Sequence, residues 1–565
     1  MLLLLCMLLP DEQIKSLLLQ GGIKQEMVSD LETFARNARV TLQDAAIEKD
    51  AITDEALGLL IANYIKAHFV TLAKESIPEE VFRIVPERIA RKYKVVSFAR
   101  DTNGIKLATA NPGNSAVIEM IARKTWQKVT PYLATERDID NTLQLYRKDL
   151  QKIINELLRE EISSPSARFD NAPIAKIVDL LITYAYRDKA SDIHIEPEEK
   201  DFLVRFRIDG ILHDVLTLNK KMIERILTRI KVLSRLRTDE HLSAQDGKMR
   251  IRIDDEDLSL RVSIIPIVDG EKVVLRLLSS HFRQFSLLDL GMNGEDLRKV
   301  NSALNKSYGM ILSTGPTGSG KTTSIYAILK IINTREKNIT TIEDPVEYRI
   351  EGVNQIQENE KANLTFANGL RSILRQDPNV IFVGEIRDSE TAGIAINAAL
   401  TGHLVVSTLH TNDAATALPR LIDMKIEPFL VASTVNVIVA QRLVRRICES
   451  CKIQKVVTRN DVLKNISEDL IGRHFPPQGD LTMYSGKGCK VCHFTGYAGR
   501  IGVFEVLEMT ENIRKLILDK SDADVITHAA ASEGMTTMLY DGLDKVARGL
   551  TTIEEVLRVT KVETL

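Results

Sequence analysis

Three regimes of apolar spacing follow one another along the chain. From residue 11 to about 155, segments with apolar side chains at helical spacing (QIKSLLLQ, EALGLLIANYIKAHF) are interleaved with short strand-like runs (YKVVSFAR, IKLATANP), and a charged helical stretch, DIDNTLQLYRKDLQKIINELLREE, closes the region. This spacing predicts a small α+β domain over residues 1–160. In EISSPSARFDNAP the periodicity stops and serine and proline accumulate, which predicts a linker. A helix, IAKIVDLLITYAYRDKA, then precedes the strands DIHIEP, FLVRFRIDG and ILHDVLTL, a basic helix, and the strands KMRIRIDD, LSLRVSIIPIV and KVVLRLL. Gly or Asp-Gly between paired strands predicts a mostly antiparallel sheet with helices on one face, a second α+β domain over 161–285. From about 290 strands and helices alternate strictly: GMILSTG, NITTIED, NVIFVGE and HLVVSTLH are each followed by helical sequence. That order predicts an α/β domain over 286–565 whose parallel sheet is covered on both sides. No repeat with a period of 20 to 50 residues and no low-complexity tract interrupts it.

Composition narrows the class without changing this division. A chain of 565 residues exceeds what one core usually organises, and 44% hydrophobic with 27% charged residues is ordinary for folded globular domains. A net charge of −2 gives no global case for nucleic acid or anionic lipid as the main partner. Five cysteines in such a length do not make a secreted disulfide framework, so a reducing cytoplasmic setting is expected. The opening MLLLLCMLLPDEQ has an apolar run of about nine residues, no basic flank and acidic residues immediately after, too short to span a bilayer. Cys6 within it is not expected to be lipidated.

The chemistry is concentrated in GMILSTGPTGSGKTTSIYAILKII, where Gly315, Gly320, Lys321 and Thr322 have the spacing G-x-x-x-x-G-K-[ST] after an apolar strand and before a helix. The loop of Gly315, Pro316, Thr317, Gly318, Ser319 and Gly320 is expected to wrap a β-phosphate with the backbone N–H groups of its non-proline residues, helped by the helix dipole at Lys321, Thr322 and Thr323. Lys321 is expected to reach the β and γ phosphates, and the Thr322 hydroxyl to ligate Mg²⁺. Hydrolysis also needs a carboxylate for water and positive charge for the transition state. Glu385, at the end of NVIFVGEIRD, is the candidate base. Glu343, Asp344 and Glu347 end the strand ITTIEDPVEY as candidate metal-site carboxylates, and His410 ends HLVVSTLH. Taken singly, each of these residue types more often caps a helix or turns a chain.

In order and spacing, GPTGSGKT, TIEDPVEY, VGEIRD and GHLVVSTLHTNDA resemble the Walker A, Asp-box, Walker B and His-box motifs of the secretion ATPases. Two cysteine pairs and GYAGRIGVFEVLEM narrow the resemblance to the type II secretion and type IV pilus extension ATPases. It covers residues 173–565 strongly and 11–150 weakly. The resemblance implies a RecA-like P-loop ATPase domain preceded by a PAS-like α+β domain and a small N-terminal α+β domain. It further implies a homohexameric cytoplasmic motor that uses Mg-ATP to drive assembly of pilin-like subunits. The motor would be peripheral to the inner membrane and docked on the cytoplasmic parts of platform and assembly proteins. Arginines of the second domain would act on a neighbour's nucleotide, with Arg207, Arg261 and Arg276 as candidates and Arg205 beside them. Where relatives read P-Q-D-G-R, TDEHLSAQDGKMR puts Lys248 in the arginine's place. The N-terminal region lacks the R-L-G start and the glycine and leucine spacing of cyclic di-GMP-binding relatives, so that ligand is not expected. A retraction motor is disfavoured, while a nucleotide-gated scaffold and a nucleic-acid motor remain the rival readings.

Cys448 and Cys451 form one C-x-x-C pair, and Cys489 and Cys492 form another, inside a segment spanning 446–500. Each pair can present two thiolates from a tight turn, and two pairs complete a tetrahedral site that suits structural Zn²⁺. Redox chemistry fits less well, because no βαβ thioredoxin pattern surrounds either pair.

Overall fold

The computed structural model describes residues 9–38, 41–48, 51–75, 77–143, 150–162, 172–253, 256–278, 286–464, 466–476 and 479–560. Most of the expected linker and the leading apolar run with Cys6 lie outside the described residues. The chain divides into two compact units. One holds residues 1–147 together with 448–452 and 486–497, and the other holds 148–447, 453–485 and 498–565.

Within the first unit, helices Asp11–Gln20, Gln25–Ala38, Leu42–Glu48 and Asp54–Ile65 enclose a core of their own, built on Ile14, Leu18, Val28, Leu31 and Leu57. A four-stranded mixed sheet follows in the order His68–Phe69, Val129–Leu133, Gly104–Thr109, Val95–Asp101, with a second core around Val96, Phe98, Leu107 and Ile121. Both agree with the α+β pattern read from the sequence.

The second unit begins with a six-stranded sheet, antiparallel at every pairing, packed on helices Ala172–Arg187 and Ile223–Leu233. The strand Asp201–Ile208 shows why its arginines lie where they do. Successive side chains of a strand point to opposite faces, and Phe202, Val204 and Phe206 are wholly buried. Arg205 and Arg207 therefore stand on the other face.

The α/β part carries a seven-stranded sheet. Its strands are β1 (Gly309–Thr314), β2 (Ile339–Glu343), β3 (Val353–Gln357), β4 (Val380–Val383), β5 (Leu404–Leu409), β6 (Val435–Ile447) and β7 (Tyr497–Glu508), in the order β3-β2-β4-β5-β1-β6-β7. All five pairings from β3 to β6 are parallel. Alternation divides the strand residues between two cores. Met310, Leu312, Ile381, Val383, Val405 and Ile438 enter one, while Ile311, Val380, Phe382, Leu404, Val406 and Val437 enter the other. A strand covered on both faces is apolar at most positions, which is why these segments read as near-continuous apolar runs. Among the described residues no helix is long and apolar enough to cross a membrane.

A candidate nucleotide site and a cysteine cluster

The phosphate loop leaves the carboxyl end of β1 and enters helix α1 (Lys321–Ile332), whose N-cap is Gly320 with φ 91°. Gly315 has φ 143°, and a Cβ there would come within 2.5 Å of the Gln441 carbonyl oxygen, so both the backbone angle and the close approach require glycine. Thr317 and Gly318 at the loop tip are exposed, as is Thr322, which leaves its side chain open to a ligand. Pro316 and Thr323 are partly buried. Lys321 is buried and folds back on the loop, donating from Nζ to the carbonyl oxygens of Gly315 at 2.7 Å and Pro316 at 3.1 Å. Burial lowers the pKa of its ammonium, and the nearby Glu385 charge works against that.

Glu385 follows β4, and its two carboxylate oxygens have different partners. Arg387 donates from Nη2 to Oε1 at 2.5 Å, and His410 Nε2 lies 3.2 Å from Oε2. His410 is half exposed, whereas the Glu385 side chain is 14% exposed, a carboxylate at the rim but not on the open surface. Glu347 accepts a hydrogen bond from Arg261 Nη2 at 3.1 Å. The ends of β1, β4 and β5 therefore bring the phosphate loop, Glu385 and His410 together at the carboxyl edge of a parallel sheet, where ligands of such sheets bind.

Glu343 does not join them. It is 3% exposed and accepts hydrogen bonds from the Tyr326 hydroxyl, from Thr341 Oγ1 at 2.5 Å and from Gln355 Nε2 at 3.2 Å. Burial raises its pKa and the three donors oppose that. With its oxygens committed inside the protein, Glu343 is withdrawn from the candidate metal-site carboxylates. Asp344, the next residue, is exposed.

Cross-strand register shows how the arginines relate. Arg207 pairs with Asp192, Asp192 with Arg276, Arg276 with Arg261, and Arg261 with Lys248, so these residues form one row over five strands. Directly opposed residues share a face. Asp192 accepts from Arg276 Nε at 3.1 Å and lies 3.5 Å from Arg207 Nε, while Arg207 also donates to the Gly210 carbonyl at 3.1 Å. Arg205 pairs with Glu196 at 2.5 Å. Of the candidate arginines, Arg261 is the one whose described partner, Glu347, belongs to the rim of its own chain.

Arg387 and the buried Tyr326–Glu343–Gln355 network escaped sequence reasoning. Arg387 was within reach of it, because GEIRD places the arginine two positions after Glu385. The network was not, since it joins a helix and two strands that only folding brings together.

The four cysteines converge in the first unit. Sulfur–sulfur distances are 3.8 Å for Cys448–Cys489, 3.8 Å for Cys451–Cys492 and 3.7 Å for Cys489–Cys492. A tetrahedral site with Zn–S of about 2.3 Å has sulfur–sulfur edges of about 3.8 Å, so the donor set fits that ion. Backbone N–H groups of Gly488, Cys489 and Gly496 point at the sulfurs of Cys451, Cys492 and Cys492 at 3.3, 3.1 and 3.3 Å. Burial pushes the Cys451 thiol up to about 11 and that of Cys448 higher still. Burial also acts to raise Cys492, but the Cys489 and Gly496 amides outweigh it and bring that thiol below its ordinary value. Four sulfurs this close together, two buried and two partly buried, form a donor set for a cation.

Comparison with known proteins places these features in context. Residues 167–558 match the family described as Type II/IV secretion system protein, and residues 65–152 match the MshEN domain. The chain is 37% identical to the type IV pilus assembly ATPase PilB of Myxococcus xanthus, over 91% of this chain and 92% of that protein. It is 45% identical to the type II secretion system protein E of Pseudomonas aeruginosa, over 70% of this chain and 77% of the relative. Among solved structures, the Legionella pneumophila ATPase DotB is similar in fold, with a TM-score of 0.50 at 21% identity, covering 70% of this chain and 97% of that one.

Proposed function

Because the chain belongs to the Type II/IV secretion system protein family, we propose that it is a mechanochemical ATPase that powers assembly of a type IV pilus or a type II secretion pseudopilus. The observation that carries this reading is the convergence of the phosphate loop, Glu385 and His410 on one sheet edge. It agrees in kind with the relatives named as a pilus assembly ATPase and a secretion protein E. We read the chain as a cytoplasmic homohexamer, peripheral to the inner membrane, held there by platform and assembly proteins. The core of the six-stranded sheet takes in Leu150 and Ile154, so we read the first domain as ending near 148 and not at 160, keep the boundary at 285, and read the antiparallel six-stranded domain as PAS-like.

In this reading the loop 315–320 and α1 hold the phosphates, and Lys321 turns from the loop carbonyls to the β and γ oxygens. Thr322 would hold Mg²⁺, which screens phosphate charge when bound. Glu385 orients and deprotonates water, with His410 and Arg387 fixing its two oxygens. The charge that develops at the γ-phosphate calls for a cation beyond Lys321, and the row Arg207–Arg276–Arg261 supplies candidates from an adjacent subunit. Cys448, Cys451, Cys489 and Cys492 would hold Zn²⁺, and four thiolates leave no position open for catalysis, so that ion would tie two turns together.

Glu385→Gln is the direct test. The amide keeps the size but cannot take the proton, so kcat should fall by about 10²–10⁴-fold. ATP affinity, measured by calorimetry, should stay near wild type. A variant that turns over ATP at the wild-type rate excludes Glu385 as the base.

A further inference from the structure

Beneath the phosphate loop lies a donor that no part of the reading above uses. Thr314, the last residue of β1, pairs with Ala440 of β6, so Gln441 is the next residue outward, level with Gly315. Gln441 is 1% exposed. Its Oε1 accepts a hydrogen bond from Ser324 Oγ at 2.6 Å, which ties it to the first turn of α1. Its Nε2 lies against the loop backbone, 2.6 Å from where a Cβ on Gly320 would sit. That buried nitrogen has no hydrogen-bond partner among the described residues. The same holds for Ser319 Oγ, in a residue 4% exposed, which would come within 2.6 Å of a Cβ on Gly315.

A carboxamide nitrogen carries two N–H donors, and buried donors in native proteins nearly always find an acceptor. Here both unmet groups border one loop, and that loop is built to receive an anion. Lys321 lies beside them with its ammonium turned to the carbonyls of Gly315 and Pro316. Entry of a phosphate would supply acceptor oxygens to all three at once.

Resting on the ATPase reading, we infer that Gln441 is a further phosphate-binding residue, whose Nε2 donates to the β-phosphate of the bound nucleotide. Ser324 acts through it as a positioning residue by holding the carbonyl end. The β-phosphate is the group that a G-x-x-x-x-G-K loop encloses, and ADP and ATP share it. The bond therefore serves nucleotide retention and not discrimination between the two. Because Gln441 lies on β6, occupancy of the loop is also felt by that strand.

The test is calorimetric titration of the full-length chain with Mg-ADP and Mg-ATP, for wild type, Gln441→Met and Gln441→Glu. Methionine has a similar length and no donor, so affinity for both nucleotides should drop by about tenfold or more, the worth of a bond to a charged group. The nucleotide-free melting temperature reports the lost Ser324 hydrogen bond separately, so the rise on adding nucleotide, and not the baseline, is the readout. Glutamate keeps the acceptor for Ser324 but sets an oxygen against the phosphate, so it should bind more weakly than wild type even if the methionine variant fails to fold. Undiminished affinity in either folded variant, or a loss confined to ATP, overturns the assignment. So does a lower nucleotide-free melting temperature with an unchanged nucleotide-induced rise, the mark of a purely structural residue. A wild-type chain that binds neither nucleotide overturns the ATPase reading itself, a result distinct from wild-type binding with an unaffected Gln441→Met.

Discussion

Glu555 illustrates how burial and pairing compete at one residue. Burial acts to raise its pKa, yet Arg558, the Arg445 guanidinium and the Arg445 backbone N–H all donate to it and hold it at about 2, against an ordinary 4.5. The contacts with Arg445 are 2.7 and 2.9 Å, and they tie helix Ile553–Val559 to β6. A carboxyl whose pKa is lowered by folding stabilises the fold fully above its unfolded value and loses that effect as the pH falls toward the folded one. The window here runs from about pH 4.5 down to about 2. Glu555→Gln should therefore cost about 3 kcal/mol at neutral pH, because it leaves the partly buried Arg445 without its charge partner. Denaturant midpoints for wild type and variant should converge as the pH is lowered from 5 to 3. A gap that stays constant over that range would show that the ion pair is not its source.

At the scale of elements, the proposed zinc site makes the two cysteine turns the part whose order would depend on something outside the polypeptide. Short 3₁₀ turns at Glu449–Cys451 and Lys490–Cys492 present the sulfurs, and His493 and Phe494 follow with φ of 50° and 60°, an uncommon left-handed pair. An ion that joins the two turns should supply much of their stability. The purified chain should contain about one zinc per polypeptide, measured by elemental analysis. Cys489→Ser should reduce that to near zero and make residues 486–497 sensitive to protease. ATP affinity should change little, since the loop 315–320 draws its order from β1, α1 and β6. A variant that keeps the metal, or a wild type that never held one, removes the structural-zinc reading.

For the whole molecule, the proposed role of the arginine row in a neighbouring subunit can be tested by mixing variants. Arg207 and Arg276 are turned to Asp192, and Arg276 is still 60% exposed. If a neighbour's nucleotide is its target, Arg276→Ala should lose on the order of 10³-fold in ATPase rate. Mixing Arg276→Ala with the equally slow Glu385→Gln should then restore measurable activity, because some interfaces combine an intact arginine with an intact base. A mixture no faster than its components would place both residues on one chain's site. Sequence alone determined the succession of strands and helices, the phosphate-loop spacing, the strand-end position of Glu385 and His410, and the pairing of the cysteines. Each of these depends on local spacing: a strand, a turn and a helix in succession, or two thiols in one turn. The antiparallel and parallel sheets were legible for the same reason, since period-two alternation and unbroken apolar runs record how many faces a strand buries. Only the tertiary structure decided that Glu343 is internal and that Gln441 lies under the phosphate loop. It also decided that four cations and Asp192 form one row. These facts depend on the register between strands distant in sequence, which no local pattern encodes and which the packing of both sheet faces fixes.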